Sequence, residues 1–546
     1  MLKDKILSAV KAIASQENWP DGVKESDFVV EEPRDPSFGQ LATNAAMTMA
    51  KASGHKPRDL AKLIIAQIAD PDGFIDSMEI AGPGFINFRL SSVWWAKALK
   101  AIRAAGPDYG RRKPSGRRVQ VEFVSANPTG PLHVGHGRGA ALGDAVARIL
   151  TFQGDDVERE YYINDAGRQM NILGLSVLIK LEQSKGLDPQ IPEDFYRGDY
   201  INQIALDIQP SLGDNFDCLP REEKIGRLSD IAGRLILDGI KKDLTDFRVS
   251  HDTWFSEKSL YQTGAIEKAI KELKDNGHIY NSEGAVWFKT TALGDDKDRV
   301  LIKNDGSQTY FAGDIAYHRD KLARGFETMI DIWGADHHGY IQRMKAAVEA
   351  LGKDRENLSI ILVQLVNLLR DGQLVSMSTR GGEFVTLREV LDEVGADAAR
   401  FIFLTRSHDS TLDFDLELAK AQTRDNPVYY VQYVCARIHS LISKAELGGA
   451  IGDPNLLTQP EELELIKHLA AFPDNLESAA KRLEPHLVTV YLTTLAKLFH
   501  QYYAVHRLIV DGDPNLTASR VELAAAVRQV TVIGLDLLGV SAPEKM

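Results

Sequence analysis

Apolar residues recur three or four positions apart at the start of the chain, where Leu2, Ile6, Val10 and Ile13 predict one face of an amphipathic helix. Charges interrupt every apolar run in this segment, which favours such a helix over a signal peptide. The alternation in "PGFINFRL" predicts a strand, so the first hundred residues are expected to form a small α+β domain. This part ends in "PDYGRRKPSGRRVQ", whose Gly, Pro, Ser and Arg residues are typical of a linker, and contact of its basic residues with an RNA backbone is an equally weighted alternative.

A different pattern begins at Val119. "VQVEF" predicts a strand, "GRGAALGDAVARILTFQG" a helix rich in small residues, and "VEREYYI" a second strand, which together indicate a βαβ unit. A mostly helical section follows to about residue 300. Strand-like stretches then return at "AVWFKTT", "MIDIWGAD" and "LSIILVQLV", so we expect one parallel sheet interrupted by a large insertion. The strand signal stops after about residue 385, and helical spacing predicts a C-terminal bundle.

Length and charge narrow the class of protein. With 546 residues the chain requires several domains, and 44% hydrophobic and 26% charged residues are ordinary values for a globular protein. The net charge of -13 argues against a general nucleic-acid coat protein, although local basic patches could still contact RNA. No run approaches the roughly 18 apolar residues of a membrane span. The only cysteines, Cys218 and Cys435, form no CxxC pair, so we expect no structural zinc and a reducing, cytoplasmic setting.

The candidate chemistry lies in "FVSANPTGPLHVGHGRGAALGD", residues 123–144. A strand, a glycine-rich turn and the start of a helix form an anion site, because free amides and the helix dipole face the turn. The chain contains no GxxxxGK[ST], and these glycines do not spell GxGxxG. His133 and His136 could instead donate hydrogen bonds to phosphate oxygens during nucleotidyl transfer. Taken alone, the two histidines are better explained as surface or metal-binding residues.

Further motifs favour the catalytic explanation of the two histidines over the surface or metal-binding one. "ANPTGPLHVGH", residues 126–136, resembles the HIGH signature of class I aminoacyl-tRNA synthetases in its arginyl form. Six more stretches resemble arginyl-tRNA synthetases in the same order along the chain, and the ending "GLDLLGVSAPEKM" is similar too. They are "YYINDAGRQ", "YRGDY", "DTWFSE", "YFAGDIAYH", "WGADHHGY" and "DNPVYYVQYVCAR".

This resemblance implies an α/β fold with a class I Rossmann-like catalytic domain that carries a helical insertion, an N-terminal α+β domain and a C-terminal all-α anticodon-binding bundle. It places a tRNA-contacting domain at 1–112, the catalytic domain at 113–408 with its insertion at about 174–300, and the anticodon-binding domain at 409–546. The implied reaction is ATP-dependent activation of L-arginine, with Mg²⁺ accompanying ATP, followed by transfer to the terminal ribose of tRNA(Arg). Family members use the 2′-hydroxyl first and generally need bound tRNA for activation. We expect a cytoplasmic monomer.

The amino-acid pocket follows from the chemistry of a guanidinium, which requires planar acceptors and negative charge. Asp314 supplies a carboxylate, and Tyr310 a hydroxyl or a ring face. Glu122 and Asn127 are placed to hold the α-amino group. The resemblance assigns these four residues to the pocket, adds contacts from His133 to substrate and ATP, and suggests Gln342 less strongly. Such a pocket would reject lysine, because the ammonium group would leave acceptors that are placed for a guanidinium without hydrogen bonds.

The ATP site is expected to include the signature turn itself and two further stretches. In "GADHHG", Gly334 allows ATP to approach the backbone closely, and Asp336 suits the hydroxyls of the ribose. His337 and His338 add hydrogen-bond donors near the phosphates. Consecutive ligand-type residues rarely converge on one ion, so nucleotide binding is favoured over metal binding. The predicted ATP-binding residues are Ala126, Asn127, Pro128, Thr129, Gly130, Pro131, Leu132, His133, Val134, Gly135, His136, Gly334, Asp336, His337, His338, Ser376, Met377 and Ser378.

The chain departs from the class I pattern at its second loop. Where KMSKS is expected, residues 376–380 read "SMSTR", without either lysine, and the position before the signature that could compensate is Gly130. Arg380, on a glycine-flanked loop, is the predicted replacement cation and catalytic residue together with His133 and His136. Alternatively, Arg380 only solvates the loop.

The RNA contacts are predicted in the helix that opens the bundle. The residues concerned lie at helical spacing: Tyr429, Tyr430, Tyr433 and Arg437. Aromatic rings beside a cation suit unstacked bases, although such a stripe more often belongs to the core of a bundle.

Two alternative functions stay open for the whole chain. One is another class I ligase with an HxGH turn, and the other is an RNA-binding paralogue without catalytic activity.

Overall fold

The computed structural model describes residues 2–17, 19, 28–33, 35–213, 215–375, 385–445, 447 and 449–546. The chain divides into two compact units. The first comprises the described residues of 1–109, 440–471 and 497–529, and the second those of 110–439, 472–496 and 530–546. The predicted domain boundaries near residues 112 and 408 stay predictions.

The N-terminal part of the first unit is built around an antiparallel sheet in the order β1-β2-β4-β3. Its strands are β1 Val30–Glu31, β2 Leu41–Thr43, β3 Ile75–Ala81 and β4 Phe85–Leu90. Its helices are α1 Leu2–Gln16, α2 Ala45–Ser53, α3 Pro57–Gln67 and α4 Ser92–Ala105. The apolar stripe predicted in α1 is buried against this sheet's core, which includes Phe88 and Ile86, so the predicted helix and small α+β domain are confirmed.

The second unit contains a parallel sheet of five strands in the order β12-β11-β5-β6-β7. The strands are β5 Arg118–Glu122, β6 Asp156–Ile163, β7 Thr253–Ser256, β11 Thr328–Gly334 and β12 Leu358–Val363. The helices that connect them are α5 Val134–Phe152, α6 Arg168–Ser184, α7 Asp199–Ile208, α8 Arg221–Asp246, α9 Lys258–Gln262, α10 Ala265–Asp275, α11 Tyr310–Ala323 and α12 Ile341–Ala350. The predicted βαβ unit is confirmed as β5-α5-β6.

Two predictions about strands are wrong. The strand in "AVWFKTT" does not join the parallel sheet: β8 Ile279–Ser282, β9 Ala285–Phe288 and β10 Arg299–Ile302 form a separate antiparallel sheet. The reason is local, because Glu283 and Gly284 both adopt positive φ (53° and 76°) and close a two-residue hairpin between β8 and β9. The parallel sheet instead gains β7, from within the predicted helical insertion.

The strand signal also continues past residue 385. β13 Val366–Arg370 pairs with β14 Gln373–Leu374 and, in parallel, with β15 Leu412–Asp415. The remaining helices are α13 Leu387–Phe403, interrupted at Gly395, α14 Leu416–Lys420, α15 Pro427–Lys444, α16 Pro460–Ala470, α17 Phe472–Arg482, α18 His486–Val505 and α19 Pro514–Leu537. A helical C-terminal region is therefore confirmed, with β15 as its one correction among the described residues.

The C-terminal segment is fixed to the helix that carries the signature histidines. Arg400, fully buried in α13, forms an ion pair with Asp144 of α5 at 2.6 Å and donates to the carbonyl of Leu538 at 2.8 Å. Gly539 has a φ of 67°, and a Cβ there would lie 2.3 Å from the Arg400 guanidinium carbon. Glycine is therefore required at this position by both backbone and space.

Candidate active site

The signature turn begins with unusual backbone geometry. Val124 and Ser125 follow β5 with φ angles of 72° and 40°, which non-glycine residues rarely adopt. The turn brings the Ser125 hydroxyl to Glu122, to which it donates at 2.9 Å, and lets it accept the backbone N–H of Tyr162 at 3.1 Å. The strained turn thus connects the ends of β5 and β6 at one edge of the sheet.

Two of the other motifs hold the turn in place. The Tyr161 hydroxyl, from "YYINDAGRQ", donates to the carbonyl of Ala126 at 2.8 Å. The Tyr200 hydroxyl, from "YRGDY", donates to the carbonyl of Thr129 at 2.8 Å. A Cβ on Gly130 would lie 3.2 Å from that hydroxyl, so the position where the sequence lacks a compensating lysine is covered by Tyr200.

His133 and His136 cap the helix that follows. Nδ1 of His133 accepts from the backbone N–H groups of Gly135 (3.1 Å) and His136 (3.3 Å), and Nδ1 of His136 accepts from that of His133 at 3.3 Å. The two rings stack with centroids 3.6 Å apart. Because each Nδ1 is an acceptor, a neutral ring carries its proton on Nε2.

The histidines are neutral at physiological pH. Burial lowers the pKa of His133, and burial together with the neighbouring His133 lowers the pKa of His136 to about 3. Neither ring therefore carries a positive charge, and the proton of each lies on Nε2.

The segment after the second loop is anchored at this turn. The N–H of Val134 donates to the carbonyl of Val385 at 3.1 Å, and the N–H of Leu387 donates to the carbonyl of Leu132 at 2.7 Å. Thr386, which forms a bridge with His133, caps α13. The predicted residues Ser376, Met377, Ser378 and Arg380 lie outside the described residues, so their roles stay predictions.

A cluster of carboxylates and tyrosines occupies the same edge of the sheet. Asp314 of α11 accepts a hydrogen bond from the Tyr340 hydroxyl at 2.5 Å, and burial raises the pKa of Asp314. Burial and the charges of Glu257, Asp314 and Glu122 raise the pKa of Tyr162, a residue of β6 whose ring packs on that of Tyr317 with centroids 4.6 Å apart. Tyr310, one helical turn before Asp314, is 70% exposed.

Glu257 is a member of this cluster that sequence reasoning missed. Its side chain is only 5% exposed, and within the described part of the chain its Oε2 has no hydrogen-bond partner. Burial, followed by the charges of Asp314 and Asp165, raises the pKa of Glu257 to about 7. Glu257 ends the recognised motif "DTWFSE", but the strand before it, β7, was not predicted, and only its pairing with β6 brings Glu257 to the carboxyl ends of the parallel strands.

The predicted contacts for the amino group lie at the end of β5. Glu122 is buried, and its Oε2 accepts from Nζ of Lys321 at 2.6 Å. Asn127 donates to Oε1 of Gln169 at 2.7 Å. Gln342 is exposed and accepts from Arg355 at 2.9 Å. Their binding roles stay predictions.

The segment "GADHHG", which is predicted to bind ATP, forms an exposed turn after β11. Gly334 ends the strand, and a Cβ there would lie 2.6 Å from Oδ1 of Asp336. Asp336, His337 and His338 are exposed on a 3-10 turn, Ala335–Tyr340. The residues are thus accessible to a ligand, and their assignment to ATP is untested.

The predicted RNA-contacting residues form a stack on α15. The rings of Tyr429 and Tyr433 are parallel within 9°, with centroids 5.9 Å apart. The Arg437 guanidinium lies 4.6 Å from the ring centre of Tyr433. Tyr429, Tyr430, Tyr433 and Arg437 are all half-buried, and no observation tests whether they bind RNA.

Comparison with known proteins shows the family of this chain. The model of the arginyl-tRNA synthetase N-terminal domain matches residues 1–90, that of the class I tRNA synthetase (R) catalytic domain residues 98–422, and that of the DALR anticodon-binding domain residues 431–546. An arginine–tRNA ligase of Desulfosudis oleivorans is 53% identical over 95% of both chains. One of Nitratidesulfovibrio vulgaris is 50% identical over the full length of both.

Solved structures support the fold. Thermus thermophilus arginyl-tRNA synthetase matches with a TM-score of 0.79 at 23% identity over 100% of both chains. Mycobacterium tuberculosis methionyl-tRNA synthetase, solved with methionyl-adenylate, matches with a TM-score of 0.56 at 12% identity over 79% of this chain and 92% of its own.

The parallel sheet, with a histidine-capped helix after its central strand, is the catalytic fold of a class I aminoacyl-tRNA synthetase. The chain belongs to the arginyl-tRNA synthetases. The predicted fold class, family and ATP-dependent arginine–tRNA ligase function are thereby confirmed.

Proposed function

We propose that the cluster at the carboxyl edge of the sheet binds L-arginine beside ATP and that the histidine turn promotes formation of arginyl-adenylate. The observation that carries this proposal is the buried acid Glu257, whose Oε2 has no hydrogen-bond partner among the described residues and whose pKa is raised to about 7 by burial and by the charge of Asp314. Arginine would supply a cation to these acids. Its planar guanidinium can donate to both carboxylates, whereas the ammonium of lysine would leave acceptors unpaired.

The other end of the substrate lies near Glu122 and Asn127 in this proposal. Glu122 is held by Lys321 and Ser125 and would accept from the α-ammonium group. Asn127, which donates to Gln169, would either replace that hydrogen bond by one to the substrate or make both. Tyr310, exposed next to Asp314, would cover the guanidinium with its ring or hydroxyl, and Gln342 is retained as the weaker candidate.

Activation then follows from the position of the histidine turn. The arginine carboxylate attacks the α-phosphorus of ATP, the bond from that phosphorus to the bridging oxygen breaks, and pyrophosphate leaves. The Nε2–H groups of His133 and His136 would donate to phosphate oxygens as charge builds up, and the amides at the start of α5 would add to them. Arg380 is proposed to neutralise the departing pyrophosphate.

ATP enters as its magnesium complex, and Mg²⁺ is written here as part of that substrate. Among the residues that the structure describes, no three His, Cys, Asp or Glu side chains gather to hold a metal ion. The nucleotide would lie on residues 126–136, with Gly334, Asp336, His337 and His338 around its ribose and phosphates. Ser376, Met377 and Ser378 are proposed to close over it.

Transfer to tRNA completes the proposal. The terminal 2′-hydroxyl attacks the activated carbonyl and AMP leaves, and bound tRNA is proposed to be required before activation. Tyr429, Tyr430, Tyr433 and Arg437 would face the RNA through their exposed edges. No helix in the described residues is long and apolar enough to cross a membrane. A cytoplasmic monomer is part of the proposal.

The decisive experiment is ATP–pyrophosphate exchange with and without tRNA, using arginine and lysine as alternative substrates. We expect exchange that depends on arginine and is strongest with tRNA. Exchange driven by another amino acid would indicate a different ligase, and no exchange under either condition would indicate an RNA-binding paralogue.

A further inference from the structure

Three acidic residues lie in one row across the centre of the parallel sheet. Asp331 on β11 pairs in register with Glu122 on β5, and Glu122 pairs with Glu160 on β6. All three are buried. Side chains at paired positions point to the same face of a sheet, so the row concentrates negative charge beneath α11.

A single lysine of α11 lies over two members of this row. The side chain of Lys321 is 0% exposed, and its Nζ lies 2.6 Å from Oε2 of Glu122 and 2.8 Å from Oδ1 of Asp331. The remaining acid, Glu160, is paired with Arg324 and accepts from the Tyr317 hydroxyl. Lys321 is therefore shared by two carboxylates, which leaves one negative charge beside the proposed site for the α-ammonium group.

Burying these charges is costly, and an apolar side chain of similar size would often stabilise a fold at least as well. The arrangement thus calls for a reason besides stability. Its position suggests one, because Glu122 is the residue proposed to hold the α-ammonium group of arginine. Asp331 is fixed in turn by His318, whose Nε2 lies 2.9 Å from Oδ2 of Asp331.

We propose that Lys321 is a positioning residue for arginine: its ion pair holds the Glu122 carboxylate in place and favours its ionised form, so that Glu122 can accept from the α-ammonium group. This inference rests on the proposed role of Glu122 at the α-amino end of the substrate. Asp331 is the second carboxylate that Lys321 contacts, and it holds the lysine over the row.

The electrostatic part of this role follows from the groups that face Lys321. They are Glu122 from β5, Asp331 from β11, Glu160 from β6, and Tyr317 and His318 from α11 itself. Burial raises the pKa of Glu122, and Lys321 opposes that shift, whereas Asp331 and Glu160 add to it. Without Lys321, Glu122 would remain protonated to a higher pH and could not accept the α-ammonium as a carboxylate.

The test is Lys321→Met in the full-length protein, with steady-state exchange measured between pH 6.5 and 9. At pH 7 we expect the KM for arginine to rise on the order of 30-fold and the KM for ATP to stay within about twofold. The defect should shrink as pH rises, because Glu122 ionises again. The matched control is Lys345→Met, which removes a lysine of α12 that is paired with Glu356. This variant should leave the KM for arginine and the KM for ATP unchanged.

A second variant separates electrostatics from packing. Lys321→Met with Asp331→Asn removes one anion together with the cation, so Glu122 should recover its charge and the arginine KM should return to within about fivefold of wild type. An equal defect in the single and double variants at every pH, or an equal rise in the ATP KM, would overturn the inference. If the single variant does not fold, an arginine KM in the double variant that stays high at all pH values would also overturn it.

Failure of this inference is distinguishable from failure of the proposed function. Wild-type protein without arginine-dependent exchange would remove the proposed function, whatever the variants do. Wild-type exchange with unaltered Lys321 variants would remove only the positioning role.

Discussion

Burial and the neighbouring Asp314 carboxylate raise the pKa of Glu257 to about 7. The two acids come from different elements: Glu257 directly follows β7, and Asp314 lies in α11. At neutral pH roughly half of the free protein carries a protonated Glu257. A bound guanidinium would favour the ionised form, so arginine binding and proton release are expected to be linked.

The first prediction concerns the pH dependence of arginine binding. Because only the ionised Glu257 pairs with a guanidinium, the KM for arginine should fall by about tenfold between pH 6 and pH 8. The KM for ATP, measured in the same exchange assay, provides the control and should change much less. A flat arginine profile over this range would show that Glu257 does not contact the guanidinium.

The second prediction is that Glu257→Gln separates stability from activity. The pKa of Glu257 is higher than its ordinary value of 4.5, so the folded protein loses stability as pH rises from about 4.5 to 7, and the amide avoids this loss. Thermal denaturation should show a higher Tm for the variant at pH 8 and little difference at pH 4.5. The arginine kcat/KM should fall on the order of 100-fold. A variant less stable than wild type at pH 8 would contradict the proposed electrostatics.

The third prediction separates the two nitrogens of His136. Asparagine can reproduce the Nδ1 acceptor that receives the His133 N–H, but it has no counterpart of the Nε2–H donor. His136→Asn should therefore retain the wild-type Tm and lose on the order of 100-fold in kcat. His136→Gln, which reproduces the donor, should retain more activity and less stability. If both variants lost activity equally, donation from Nε2 would not be the role of this residue.

The fourth prediction concerns Gly539. A methyl group there would lie 2.3 Å from the Arg400 guanidinium, on a residue with a φ of 67°. Gly539→Ala should destabilise the protein by about 3 kcal/mol, which chemical denaturation would measure. Gly372→Ala is the matched control, because Gly372 also has a positive φ but no neighbouring atom within 4 Å of an added Cβ. Equal losses in the two variants would attribute the effect to the backbone alone.

The fifth prediction tests the loop at residues 376–380. Val385, a few residues after it, accepts a hydrogen bond from the N–H of Val134 in the signature turn, and Arg380 is proposed to act on the phosphates bound at that turn. Arg380→Ala should lower tRNA-dependent ATP turnover by 10- to 100-fold, roughly the effect of one transition-state contact, with little change in Tm. An unchanged rate would remove Arg380 from the mechanism.

The sequence predicted candidate residues for the proposed site more readily than their arrangement. Asp314 and Glu122 were proposed because a guanidinium and an ammonium require acids. Glu257 was missed even though its motif was recognised, since only the pairing of β7 with β6 brings it to the shared edge of the sheet. Lys321 gave no signal, because a lysine in an amphipathic helix is ordinarily solvated.

By itself, the sequence determined the family, the βαβ unit, the position of the two histidines at the start of a helix, and the absence of lysine from residues 376–380. These features depend on residues close together along the chain, where periodicity, turn chemistry and motifs are informative. Only the tertiary structure decided that "AVWF" leaves the parallel sheet, that β7 enters it, and that Lys321 lies between Glu122 and Asp331. Those outcomes depend on strand pairing and burial between residues far apart in sequence, which no local pattern records.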